Sequence, residues 1–167
     1  MLGPLTNPAG ANYQLIGVYE SSLTEKLAEA LVMLGVERAM VVHGLDGLDE
    51  ISTTAPTQVT EVINRETHTY LLDPTEYGFS NGNLESYRGG TPEENANIIL
   101  DIFHGKLTGP KRDIVLMNAG AALVVAGRAA TIKEGLIIAA KSIDSGAALA
   151  KLEELKNFSQ GYKEEAV

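Results

Sequence analysis

Tyr13–Val18 (YQLIGV), Ser22–Gly35 (SLTEKLAEALVMLG) and Arg38–His43 (RAMVVH) follow one another with short connections. The first and third segments are short apolar runs rich in β-formers, which predicts buried strands. Between them Leu23, Leu27, Ala30, Leu31 and Leu34 recur at helical spacing, Ser22 and Glu25 have the spacing of a capping box, and Gly35 supplies a stop. Strand, helix and strand in this order are the signature of a parallel pair with a right-handed crossover. The expected fold class is therefore α/β, a partial parallel sheet flanked by helices.

Downstream, Thr57–Ile63 (TQVTEVI) and His68–Leu72 (HTYLL) alternate polar and apolar residues around Asn64–Glu66, which predicts an antiparallel hairpin at a sheet edge. Asp73–Gly90 is rich in Asp, Pro, Gly, Asn and Ser without any period, the composition of a surface excursion. Thr91 and Glu94 form a second capping box, with Pro92 suited to the first helical position, and open a helix to about His104. After a break at Gly105–Pro110, the nearly uncharged Asp113–Gly127 predicts a helix buried on most sides. Helices over Thr131–Ile143 and Ala147–Phe158 follow, the second capped by Ser145, and the polar Ser159–Val167 is expected to fray. Met1–Gly10, broken by Gly3, Pro4, Pro8 and Gly10, reads as a loop with buried side chains. A start in mid-loop predicts that residues 1–167 form one partial α/β domain of something longer.

Composition narrows the function. The 167 residues are 44% hydrophobic, ordinary for a globular chain, and carry a net charge of −9. A chain this acidic, without a Lys/Arg cluster, argues against nucleic acid as a partner. The absence of cysteine excludes disulfides and thiolate metal sites. No stretch approaches the roughly 18 apolar residues of a membrane span and no signal-peptide pattern opens the chain, so a cytoplasmic protein is expected.

Chemistry concentrates in His43–Glu50 (HGLDGLDE), directly after the second strand. Ligands of open parallel sheets sit beyond the carboxyl ends of strands, so this loop has the address of a site. Asp46, Asp49 and Glu50 crowd three carboxylates into five positions, a repulsion that a cation or a donor network must offset. Magnesium suits hard oxygen ligands of this kind, one or two carboxylates completed by substrate phosphates. The competing reading is an acidic turn that caps the following backbone or faces solvent.

Five segments weigh against that bland reading. LGPLTNPA (Leu2–Ala9), QLIGVY (Gln14–Tyr19), VVHGLDGLDEIS (Val41–Ser52), GG-x-x-x-ENA (Gly89–Ala96) and IDSGAA (Ile143–Ala148) together resemble the anthranilate phosphoribosyltransferases in order and approximate spacing. The resemblance covers nearly the whole chain and implies the carboxy-terminal part of a nucleoside phosphorylase/phosphoribosyltransferase-like α/β domain. It implies transfer of a phosphoribosyl group from phosphoribosyl pyrophosphate to the amino group of anthranilate, in tryptophan biosynthesis, with Mg2+ on the pyrophosphate. By that resemblance Asp49 and Glu50 match the metal-binding doublet, Gly3 and Pro4 match a segment lining the anthranilate site, and no residue is an acid or base catalyst. The family's helical domain, its GTGGD pyrophosphate loop, a KHGN-type segment and an anthranilate-contacting arginine are not found in the 167 residues. The isolated chain is accordingly expected to be inactive and to lack the family homodimer interface. A pyrimidine-nucleoside phosphorylase relative and a non-catalytic binding relative of the same fold are the alternatives.

Other candidates have plainer expected roles. His43 is expected to be a hydrogen-bonded structural residue, and His68 and His104 ordinary surface or element-end residues. Lys106, Lys111 and Arg112 read as solvated helix-end charges, Gly89-Gly90 as a turn, Thr6 and Asn7 as turn residues, and Met33, Met40 and Met117 as core fillers.

Overall fold

In the computed structural model, which describes residues 2–79 and 83–164, four strands form one sheet in chain order: β1 (Tyr13–Gly17), β2 (Arg38–Gly44), β3 (Thr57–Ile63) and β4 (Glu66–Leu72). β1 and β2 are parallel, with Tyr13 opposite Arg38 and Gly17 opposite Val42, as the strand–helix–strand run requires. β2–β3 and β3–β4 are antiparallel, so the sheet is mixed. The hairpin turn is tighter than expected: Asn64 and Arg65 alone occupy it, at φ 52° and 64°, the left-handed pair that a two-residue turn between twisted strands demands.

β2 is covered on both faces because its alternate residues feed separate cores. Ala39 and Val41 join Ile16, Val18, Leu27, Ala28, Leu31, Val36 and Val62 beneath α2 (Ser22–Met33). Met40 and Val42 join Ile51, Val59, Leu72, Met117, Ala121, Val124 and Val125 on the other face, where α4 (Pro110–Val125) lies. α2 is rotated from the expected register: Thr24, Leu27, Ala28 and Leu31 are buried, while Leu34 is exposed and Met33 is 86% exposed, so Met33 is no core filler. The physical reason is Thr24, whose hydroxyl accepts from Gln58 Nε2 (2.7 Å) and from Thr60 Oγ1 (3.0 Å). Satisfying this buried polar cluster turns the helix toward β3. Nor does Ser22 cap α2: it lies inside the helix with its hydroxyl on Glu20, and Ser21 occupies the cap position without a side-chain bond.

The Thr91–Glu94 capping box forms at the start of α3 (Pro92–Phe103), with Glu94 N on Thr91 Oγ1 and Thr91 N on Glu94 Oε2. α4 begins at Pro110, and Val115 and Ala122 on it are exposed, so it is buried on one side rather than most. It crosses α5 (Ile132–Asp144) at two glycines; a methyl group on Gly135 would lie 2.4 Å from the Gly120 carbonyl oxygen. Ser145 closes α5, with its hydroxyl on Ser142 O, instead of capping α6 (Ala147–Glu164), which continues past Phe158. The opening residues form a helical turn, α1 (Leu2–Leu5), on which Gly3 and Pro4 are exposed rather than buried. Two 3₁₀ turns, Pro74–Tyr77 and Leu84–Tyr87, lie in the 73–90 excursion.

Candidate metal and phosphate site

The acidic loop leaves the carboxyl end of β2, and backbone bonds shape its first turn: Gly44 N on Leu48 O (2.8 Å) and Gly47 N on Gly44 O (2.9 Å). Gly47 has φ 98°, where a side chain would be strained. Asp46 faces inward. Its Oδ2 accepts from Ser52 Oγ at 2.6 Å and from the Thr54 hydroxyl, and the Leu48 N–H approaches its Oδ1. Partial burial pushes the Asp46 carboxyl up, but these donors outweigh it and hold the group below its ordinary value. Of the three crowded carboxylates, Asp46 is thus a structural acid offset by a donor network.

Asp49 and Glu50 are both exposed. Desolvation and the neighbouring Asp49 charge push the Glu50 carboxyl up, so the pair repels itself and bound positive charge would relieve it. Directly after them Ile51 is fully buried in the core beneath α4. Its backbone is held on both sides of the Cα by one side chain: Asn118 Oδ1 accepts from Ile51 N and Asn118 Nδ2 donates to Ile51 O, both at 3.0 Å. On the other side β1 presses against the loop so closely that a methyl group on Gly17 would meet the Asp49 carbonyl oxygen at 1.6 Å. His43 joins the two strand ends, its Nδ1 lying 2.8 Å from Val18 O, so that nitrogen carries the proton. The histidine is the hydrogen-bonded structural residue expected.

Asn118 and Gly17 escaped sequence reasoning. The available signals were one amide in an otherwise apolar stretch of α4 and one glycine inside an apolar strand. Among the described residues, no group of three or more His, Cys, Asp or Glu side chains is placed to hold a metal. The pair therefore fits a cation that keeps water and takes its remaining ligands from a phosphate, as Mg2+ does, and does not fit a closed protein cage.

The remaining candidates divide. Pro4 lines a small cavity of about 150 Å³ with Asn7, Gln14, Leu34 and Val36 at the amino-terminal end of β1. Asp49 and Glu50 lie past the carboxyl end of the parallel β2, so the chain does not bring Gly3 and Pro4 beside them. Asn7 makes the expected turn, accepting from Ala9 N at 3.0 Å. Gly89-Gly90 is an irregular approach to α3 without the expected turn, and Asn95 holds it with bonds to both Gly90 N and Gly90 O. Lys111 donates to Arg88 O, and Arg112 pairs with Asp144 at 2.6 Å, so these two cations are spent on structure. The exposed His68 ring stacks on Tyr70, and His104 bonds Leu100 O at the end of α3.

Comparison with known proteins identifies the family. Residues 1–149 match the family described as "Glycosyl transferase family, a/b domain". The anthranilate phosphoribosyltransferases of Acetivibrio thermocellus and Methanocorpusculum labreanum are 51% and 53% identical over 97% and 96% of this chain. The chain spans about half the length of these relatives, 47% of each. Among solved structures, the anthranilate phosphoribosyltransferase of Thermus thermophilus superposes with a TM-score of 0.83 at 40% identity, covering 92% of this chain and 45% of that one. The Saccharomyces cerevisiae enzyme in complex with PRPP and Mg superposes at 0.82 and 32% identity, covering 91% of this chain and 44% of that one. A mixed sheet with its acidic pair beyond a central strand and this extent of identity lead to one conclusion: the chain belongs to the glycosyl transferase a/b-domain family, among relatives that are anthranilate phosphoribosyltransferases.

Proposed function

We propose that this chain serves phosphoribosyl transfer from phosphoribosyl pyrophosphate to anthranilate, a step of tryptophan biosynthesis in the cytoplasm. The observation that carries the reading is the exposed Asp49–Glu50 pair, seated between a buried anchor at Ile51 and the close approach of Gly17. Asp49 and Glu50 would hold Mg2+, which when bound screens the charge of the departing pyrophosphate. The pair acts as ligand and not as acid or base, because departure from a ribose carbon needs positioning and charge stabilisation more than proton transfer. Gly3 and Pro4 would line the aromatic acceptor. Their exposure on α1 and their distance along the sheet from the metal pair suit an acceptor that approaches from a different side than the pyrophosphate.

Mn2+ is a paramagnetic stand-in for Mg2+ and tests the reading even where binding is weak. With phosphoribosyl pyrophosphate present, it should broaden the amide resonances of Asp49 and Glu50 first. Asp49→Asn and Glu50→Gln should each weaken the effect by at least about 100-fold, more than the loss typical of groups that only support a ligand. Broadening that is unchanged in both variants overturns the assignment.

A further inference from the structure

We infer that Asn118 is the positioning residue of the acidic pair: through the Ile51 peptide it sets where Asp49 and Glu50 point, and so how tightly a metal–pyrophosphate complex is held. This rests on the reading of Asp49 and Glu50 as metal ligands. Asn118 stands 67 positions from Ile51, yet its amide group satisfies both the N–H and the C=O of that residue at 3.0 Å. An asparagine side chain offers one acceptor and two donors, and here all three uses are visible, because Nδ2 also donates to Ile114 O at 3.0 Å. The third bond ties the amide plane to its own helix, so the orientation of the Ile51 peptide is inherited from α4.

Among the described residues no other side chain bonds the N–H or C=O of Asp49, Glu50 or Ile51, and Thr57 Oγ1 accepts from the next N–H, that of Ser52, at 2.9 Å. Asp46, Ser52 and Thr54 brace the two ends of the loop, at one remove from the ligands. Gly17 limits how far the Asp49 carbonyl can move toward β1, and Ile51 fills a hole in the core. These contacts restrict translation, whereas Asn118 holds the two peptide groups that flank the Ile51 Cα, one bond to each, and so fixes the rotation of the first of them, which follows Glu50. A glutamate whose neighbouring peptide turns freely presents its carboxylate over a cone, and part of the binding free energy is lost in ordering it.

The test compares Asn118→Ala and the near-isosteric Asn118→Leu with Val124→Ala, a core change on the same helix with no bond to the loop. Two quantities are read: amide hydrogen exchange at Gly47–Ile51, and Mn2+ affinity with pyrophosphate from resonance broadening. Both Asn118 variants should exchange faster at the loop while α2 and the sheet stay protected, and should bind Mn2+ about 10-fold more weakly, the scale for losing a group that orients a ligand. Val124→Ala should do neither. Folded Asn118 variants with wild-type affinity overturn the inference, as does an equal loss in Val124→Ala, which would make the effect one of general stability. Failure of the underlying reading looks different: wild-type Mn2+ binding would then be indifferent to Asp49→Asn, while exchange at the loop still rises in Asn118→Ala. That result would leave Asn118 bracing a loop that holds no metal, and would overturn the positioning role.

Discussion

The strand-end loop and the α4–α5 contact both depend on a missing side chain, and they use it in opposite ways. At the loop, Gly17 lets a strand touch the Asp49 carbonyl, where a methyl group would lie only 1.6 Å from the oxygen. What surrounds that contact is polar: Asp46 bound by two hydroxyls, and Asn118 bound to Ile51. At the helix crossing, a methyl group on Gly135 would meet the Gly120 backbone at 2.4 Å, and the buried neighbours Met117, Ala121, Val124, Ala139 and Ile143 are apolar. The first region is held by directional bonds, those to Asp46 depending on a charge that pH can remove, and the second by volume. Packing therefore gives a rigid floor, and hydrogen bonds set the site upon it.

The largest expected effect breaks the floor. Gly135→Val forces helix backbones apart and should cost about 3 kcal/mol in urea unfolding, the upper part of the overpacking range. Mn2+ broadening at Asp49 in the fraction that stays folded should be unchanged; a change would mean that the two regions are coupled and the contrast fails. Ser52→Ala comes next, at about 1.5 kcal/mol near pH 7, since it removes a charge-assisted bond to Asp46. Asp46 titrates below its ordinary value in the fold, so its contribution is complete above the unfolded value of about 3.9 and is lost as pH falls through the folded one. The gap between Ser52→Ala and wild type should accordingly narrow in acid, whereas the cost of Gly135→Val should not.

Asp49→Asn should have the opposite sign. Partial desolvation of its carboxyl and the Asp49 charge push Glu50 up, so wild type loses stability as pH rises from about 4.3 through the folded value. Removing the Asp49 charge lowers the Glu50 value partway, measurable by carboxyl NMR titration, and changes stability at pH 7 by no more than about 0.5 kcal/mol, upward. A clear loss of stability in Asp49→Asn would show that the pair is structural and not a ligand in waiting. Smallest of all is Met33→Ser, on a side chain that is 86% exposed, expected within about 0.5 kcal/mol of wild type.

Much of this was legible beforehand. The parallel β1–β2 pair follows from two apolar runs around a periodic helix, and the hairpin from alternation around Asn64. The Thr91 capping box needed only its own four residues, and it formed. The Ser22 box has the same spacing and did not form, because the buried Thr24 hydroxyl required a different helix start and rotation. Met33 and Leu34 are exposed for the same reason: helical periodicity gives a stripe, but which edge of the stripe faces the sheet depends on partners on β3. In the acidic loop, spacing located all three carboxylates and only the family resemblance set Asp49 and Glu50 apart from Asp46; that Asp46 is spent on Ser52 and Thr54 emerges only in the fold.

By itself the sequence determined the α/β class, the order of the elements and the placement of an acidic pair after a central strand, because local periodicity, turn chemistry and residue type act over a few neighbouring positions. Tertiary structure alone decided which carboxylate is inward and how Glu50 is oriented. The first outcome depends on how the loop folds back to bring the Ser52 and Thr54 hydroxyls onto Asp46; the second depends on an amide 67 positions from Ile51 and on a glycine in a neighbouring strand, contacts that exist only once the sheet and α4 have packed.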